Sequence, residues 1–378
     1  MVDSSSGPDR SGIKRPTLAG VAALAGVSVS TASLTFSGSG PVSQATRDRV
    51  RAAAEKLRYA GPDPRARSLR QGRSGIIAAV LEETVLQGFR DPVKIAFLDG
   101  IAQQLAGSGH ALLLVPDVGD GLGVGDGPGG GDGPGATTLE SATMDAVVLL
   151  GCSPHVARSI AITRRRSIPI VALGSTPFAD VLSVTLDDRA ATVSLARHLH
   201  ALGHRQVAVV ALPLEESRQR GPLTSEWEQR ANISTPMERL AGAREIFPDL
   251  DVVLTAGSLV DEGLLAGREI LTRAPGFGPP TAIIAQSDLL AAGVIRAAQE
   301  LGLQVPADVS VVGFDGIRLD NVISHDLTTM VQPAAEQGAT AGRMVLELLA
   351  GGRSEAACFT SEFHLGNTTA PPAGHLPG

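Results

Sequence analysis

The spacing of apolar and polar positions changes character along the chain. Leu18, Val21, Ala22 and Ala25 fall at i, i+3, i+4 and i+7, the stripe of a short helix. Thr17 stands where an N-cap belongs and Gly26 where a left-handed stop belongs. Ser28 then opens a second helix, which Gly38, Gly40 and Pro41 end. Ser43 caps a third, with Val50, Ala53, Ala54 and Leu57 on one face and Arg47, Arg49, Arg51 and Lys56 on the other. Two short helices joined by a glycine turn make a helix-turn-helix.

From Gly75 onward short apolar runs alternate with helical periods. Ile76–Leu81, Leu112–Val115, Val147–Leu150, Pro169–Leu173, Val207–Val210, Ala282–Ala285 and Val309–Val312 read as buried strands. Val93–Leu105, Leu195–Leu202 and Leu289–Leu301 read as helices between them. Apolar strands alternating with helices predict a parallel, doubly wound α/β body. About 300 residues of it should split into two lobes, with a ligand crevice at the carboxyl ends of the strands.

Composition narrows the classes. Of 378 residues 43% are hydrophobic and 19% charged, which argues against global disorder. Cys152 and Cys358 are the only cysteines, far apart and without neighbouring ligands, so neither a disulfide scaffold nor a zinc cluster is expected and a reducing cytoplasm is. No apolar run is long enough for a membrane span. Lys14-Arg15 before the apolar stretch from Leu18 imitates a signal peptide, but the helical period of that stretch speaks against one. Aromatic residues make up only 3%, too few for a single-strand stacking platform.

The net charge of −7 conceals an asymmetry. Residues 1–75 carry 12 Lys/Arg against 5 Asp/Glu, and the remainder 20 against 34. A basic head suits phosphate, and an acidic body suits something else. Between them, Asp63 as N-cap and Pro64 at N1 open a helix of barely two turns that carries Arg65, Arg67, Arg70 and the lone apolar Leu69. It is too short to be stable alone and reads either as a linker or as a segment that orders on DNA. No catalytic constellation is present: Gly119–Gly135 lacks the Lys-Ser/Thr of a P-loop, and no Gly-x-Ser-x-Gly elbow follows a strand. Neither an enzyme, a cofactor nor a metal is expected.

Three groups of residues together resemble the lactose-repressor (LacI/GalR) family. In the head they are Arg15-Pro16-Thr17-Leu18, Val21-Ala22, Ala25-Gly26-Val27-Ser28 and Gly40-Pro41-Val42-Ser43. In the hinge they are Ala66-Arg67-Ser68-Leu69-Arg70. In the body they are Leu202-Gly203-His204-Arg205, Arg239-Leu240-Ala241-Gly242, Pro306 through Asp315 and Leu327-Thr328-Thr329. The resemblance implies an all-α helix-turn-helix head over 13–60, a hinge helix over 61–73, and a two-lobe α/β effector and dimerisation domain over 74–370, similar to periplasmic binding proteins. It implies an N-lobe of about 74–186 and 331–361 and a C-lobe of about 187–330 and 362–370, crossing near Leu186–Asp187, Met330–Val331 and Ser361–Glu362.

The same resemblance implies a ligand-responsive DNA-binding regulator, a repressor of a metabolic, carbohydrate-type operon, acting on a palindromic double-stranded operator as a homodimer or a tetramer. A soluble binding protein without operator-specific binding is the alternative. DNA contacts are implied at Thr17, Ser28, Val29, Ser30, Thr31, Ser33, Leu34, Ala66, Leu69 and Arg70, with Leu69 wedging into the minor groove. Leu34 stands where the family has an arginine able to pair with guanine. Effector contacts are implied at Arg239, Ser287, Asp288 and Asp315. Gly174 and Ala334 stand where larger pocket residues are common, so the pocket is expected to be thinly furnished. His204, after Gly203, reads as a helix cap. Gly119–Gly135 reads as a mobile loop and the tails 1–12 and 371–378 as disordered. The insertion from Leu212 to Asn232, with the sole tryptophan, Trp227, reads as a lid, a dimer contact or a disordered surface loop.

Overall fold

The computed structural model describes residues 16–38, 40–61, 72–81, 85–116, 138–151, 156–174, 178, 180–215, 217–272, 279–319 and 322–373. The expected hinge contacts Ala66, Leu69 and Arg70, the Gly119–Gly135 stretch and the tail positions 1–12 and 374–378 lie outside the described residues. The chain forms two units, residues 1–74 and 75–378.

The first unit holds α1 (Leu18–Ala25), α2 (Val29–Ser37) and α3 (Gln44–Lys56). Each helix begins where a hydroxyl can take up an orphan amide. Thr17 Oγ1 accepts from Gly20 N (3.1 Å), Ser28 Oγ from Thr31 N (3.1 Å) and Ser43 Oγ from Thr46 N (3.3 Å). Gly26, at φ 66°, closes α1, and Val27 N reaches back to Ala22 O at 3.0 Å. The chain bends by 106° from α1 to α2, the angle of a helix-turn-helix. Val21, Ala22, Ala32, Val50, Ala53 and Ala54 are buried together, and Phe36 meets Tyr59 edge to face at 5.5 Å.

The second unit is built on two sheets. The first lobe orders its strands β12-β5-β4-β3-β1-β2, all parallel, from Ala357–Phe359, Leu182–Leu186, Ile170–Leu173, Ala146–Leu150, Ile76–Leu81 and Ala111–Pro116. The second lobe orders β13-β11-β10-β9-β6-β8-β7, from Glu362–His364, Thr328–Val331, Ser310–Asp315, Ala282–Ala285, Val207–Ala211, Asp251–Leu254 and Gly221–Pro222, with only the two edge strands antiparallel. Central strands such as Val207–Ala211 are buried from end to end because helices cover both faces of each sheet.

The chain passes between sheets after β5, after β11 and between β12 and β13. At the second passage it enters a helix, Ala334–Leu349, that packs against Pro92–Leu105 across two glycines. A Cβ on Gly100 would lie 2.0 Å from Ala335 O, and one on Gly338 2.1 Å from Phe97 O. Backbone-to-backbone contact this close leaves the pair little freedom to shift.

One expectation holds and another is narrowed. Gly203, at φ 100°, ends its helix and His204 caps it through the backbone, its N–H donating to Leu199 O at 3.1 Å, while the ring reaches elsewhere. Its Nε2–H donates to Ala370 O (2.9 Å) and its Nδ1 meets Thr281 Oγ1 (2.9 Å), tying the C-terminal segment to the second sheet. That segment also bonds strand β10: Val311 N donates to Thr368 O at 2.9 Å and Ala370 N to Ser310 Oγ at 3.0 Å. The insertion, apart from the undescribed residue 216, is ordered rather than a disordered loop. It supplies edge strand β7 and a short helix, Ser225–Arg230, and buries Leu214 with Trp227 packed against the same core. Arg220 grips Glu262 with Nε (2.7 Å) and Nη2 (2.5 Å), and Glu262 also accepts from Ala256 N at 2.8 Å.

Candidate functional site

In the head, α2 presents an uncharged surface. Ala32 and Thr35 face the core, while Val29 (50% exposed), Ser30 and Leu34 (37%) face outward and Thr31 and Ser33 are half-buried. The cap occupies part of the hydroxyl cluster: Ser28 Oγ lies 2.8 Å from both Ser30 Oγ and Thr31 Oγ1. Thr17, at the start of α1, is likewise exposed and engaged as a cap. Leu34 leans toward the turn before α3, close enough that a Cβ on Gly40 would lie 3.2 Å from its Cδ2. Positive charge comes from the exposed Arg49, Arg51 and Lys56 of α3. A small, uncharged helix beside basic residues is the shape that enters a major groove while cations meet phosphate.

In the second unit a cavity open to solvent lies between the two sheets. Strand ends and helix starts furnish it, as the doubly wound topology requires. Arg239, on the helix Ser234–Ile246, is 5% exposed. Its Nε donates to Asp188 Oδ1 (2.8 Å), Nη1 donates to Gln286 O, Nη1 lies 3.6 Å from Asp315 Oδ1, and the guanidinium stacks 3.5 Å from the Phe314 ring centroid. Asp315 ends β10 at φ 121°, before Gly316 at φ 75°, and accepts from Gln332 Nε2 at 2.7 Å. Gln286 fastens the same wall from behind: its Oε1 accepts from Leu212 N and its Nε2 donates to Pro236 O, both at 3.0 Å.

Of the expected effector residues, Arg239, Ser287 and Asp315 line the cavity and Asp288 does not. Ser287 caps the helix Asp288–Glu300, accepting from Leu290 N (3.2 Å) and from Ser258 Oγ (2.8 Å). One residue on, the helical turn carries Asp288 to the other side, where it accepts from Thr329 Oγ1 (2.6 Å) and Ile317 N (2.8 Å) and braces the loop after β10. Ala334 packs in the first lobe's core rather than facing the cavity, and Gly174 lines it. The cavity is nevertheless not thin. Asp91, Lys94, Asp188, Arg218, Gln332 and Gln337, none of them singled out in the sequence, also line it. The one sequence signal for Asp188 is its place just after a strand, at the start of a helix.

Burial governs the carboxyls. It raises Asp188, against the pull of Arg239, and raises Asp315 well above the usual range, with Asp288 and Asp91 adding repulsion and Arg239 and Gln332 opposing. It pushes Asp288 up to about 7, against donors from Thr329, Ile317 and Gly316. A carboxyl raised by folding binds its proton in the native state over a range where the unfolded chain has released it. Stability therefore falls as pH rises from the ordinary value of 3.8 through about 7. The melting temperature is expected to decline over that window, and Asp288→Asn to flatten part of the slope. Equal slopes for the two proteins, measured by calorimetry at a series of pH values, would remove Asp288 as the source. Among the described residues no group of His, Cys, Asp and Glu is arranged to hold a metal ion.

Residues 17–61 match the family described as bacterial regulatory proteins, lacI family, and residues 196–362 match a periplasmic binding protein-like domain. An HTH-type transcriptional regulator of Mycobacterium tuberculosis is 31% identical over 375 residues, covering 95% of this chain and 98% of the relative. Among solved structures, a LacI-family transcriptional regulator from Corynebacterium glutamicum aligns with a TM-score of 0.68 at 26% identity, over 93% of this chain and 98% of that one. The transcriptional regulator CelR in complex with cellobiose aligns with a TM-score of 0.61 at 25% identity, over 94% and 100%. With a helix-turn-helix head, a two-lobe body and full-length relatives of one kind, the chain belongs to the LacI family of DNA-binding transcriptional regulators.

Proposed function

We propose that this protein is a cytoplasmic repressor that binds a palindromic operator as a homodimer and releases it when a small polyhydroxyl effector enters the interlobe cavity. The division of labour follows the head at 13–60, the hinge at 61–73 and the body at 74–370. The observation that carries the reading is the placement of Arg239 and its partners. Asp188 stands at the first passage between lobes, and Gln332, which holds Asp315, stands at the second. A ligand that engages these groups acts on the segments about which the lobes turn, and so favours one lobe arrangement over another. Arg239 supplies donors, and Asp188 and Asp315 supply acceptors, the complement of ligand hydroxyls. CelR, with its bound cellobiose, supports a carbohydrate-type ligand of that chemistry.

Gel shifts on DNA selected by the purified protein test the reading. The association constant is expected to fall steeply with salt, as counterions released from several phosphates require. A retarded band is expected to disappear when a sugar that binds the protein is added. Weak, sequence-independent retardation would favour a binding protein without operator specificity.

A further inference from the structure

We propose that Gln337 is a specificity-determining residue of the effector cavity, its side-chain carbonyl reserved for a hydroxyl donor on the ligand. The inference rests on the polyhydroxyl reading above and names the atom that reads one end of such a ligand. Gln337 lines the cavity from the helix Ala334–Leu349 and is 1% exposed. Its Oε1 is buried and, among the described residues, has no hydrogen-bond partner. Buried polar atoms are rarely left in this state, because desolvation without a partner is costly.

The backbone that carries the amide is fixed. Gln337 N donates to Pro333 O at 3.0 Å, and the next residue, Gly338, packs on the Phe97 carbonyl, where a Cβ would lie at 2.1 Å. An unpaired acceptor held by a rigid helix pair, beside a cavity open to solvent, is an acceptor kept for something that enters the cavity.

The chemistry of that entrant follows from the lining. The atom accepts only, so the ligand must donate. The lining carries Asp91, Asp188 and Asp315 against Lys94, Arg218 and Arg239, and burial disfavours charge on Asp188 and Asp315, so nothing there favours a cationic ligand. A neutral hydroxyl therefore fits better than an ammonium. Gln337 belongs to the helix packed on the first lobe, whereas Arg239 belongs to the second, so one ligand reaching both spans the cleft. A site built to accept from a hydroxyl discriminates strongly against the analogue that lacks it.

Full-length wild type, Gln337→Leu and Gln337→Met are to be compared by calorimetry, with D-ribose, D-glucose and cellobiose as probes. Both variants remove the acceptor and keep the volume, so their ligand-free melting temperatures are expected to equal or exceed that of the wild type. A probe that binds the wild type is expected to bind both variants roughly 10- to 100-fold more weakly. Gln337→Glu, which keeps an acceptor, is expected to retain more of the affinity than either. Variants that melt well below the wild type would assign the amide a structural role and overturn the proposal. Equal affinity of wild type and variants for a bound probe would overturn it while leaving the effector reading intact. Failure of all three sugars to bind the wild type would remove the polyhydroxyl reading and this inference with it.

Discussion

Asp315→Asn is expected to give a repressor that holds its operator and no longer releases it. Asp315 faces the cavity from the end of β10, with one oxygen accepting from Gln332 and lying 3.6 Å from the Arg239 guanidinium. Burial already disfavours its charge, so an amide of the same shape costs the fold little. Asparagine also tolerates the positive φ at this position better than other side chains do. What is lost is one of two acceptor oxygens for ligand hydroxyls, and a buried site that loses one partner weakens by about 1–3 kcal/mol, roughly 5- to 150-fold in affinity.

Arg239→Ala is expected to abolish the response as well, with a heavier penalty. It strands Asp188 and Asp315 without their cation and empties the space against Phe314, and breaking a buried pair in this way costs about 3–5 kcal/mol. The melting temperature should drop for Arg239→Ala and barely move for Asp315→Asn. Gel shifts with and without a binding sugar, beside calorimetry on both variants, check the outcome. Release of operator by either variant at the wild-type sugar concentration would show that these side chains do not hold the effector.

Leu69→Ala is expected to weaken operator binding about tenfold or more and to remove most of the DNA bend, with sugar affinity unchanged. Residue 69 lies outside the described residues. A single leucine stands among arginines in a segment opened by Asp63 and Pro64. Inserted between base steps, an apolar wedge unstacks them, and the cost is offset by contacts that only bent DNA permits. Alanine is too short to wedge. Gel shifts and a circular-permutation bending assay read the two effects. A full bend with Leu69→Ala would place the leucine away from the DNA.

What could be read in advance follows a physical divide. The three head helices were legible because each carries its own start, Thr17, Ser28 and Ser43, and the first two a glycine stop, Gly26 and Gly38. The central strands were legible because burial on both faces leaves them uniformly apolar, as at Ile76–Leu81. The helix Ser234–Ile246 was not read as an element, since its buried positions, Pro236, Arg239, Leu240, Gly242 and Ala243, include a single large apolar side chain. Pro236 and Arg239 line the cavity. Asp288 was misassigned for a related reason. Its neighbour Ser287 lines the cavity, and one step along a helix turns a side chain by about 100°, which the linear sequence does not display. Gln337 gave no signal, because an orphaned acceptor is visible only once its surroundings are folded.

The His204 clamp bears on how the molecule is made. The head's core is complete within residues 18–59, so it can form as soon as that segment leaves the ribosome. The second lobe is different: β13 and the stretch from Thr368 to Ala370, gripped by Ser310 and His204, are among its last parts to emerge. At about 5–20 residues per second, the roughly 300 intervening residues take about 15–60 s to synthesise. For that interval each nascent chain carries a finished DNA-reading head and an unfinished ligand sensor. Chain growth thus imposes an order in which the capacity to bind DNA matures before the capacity to be switched off.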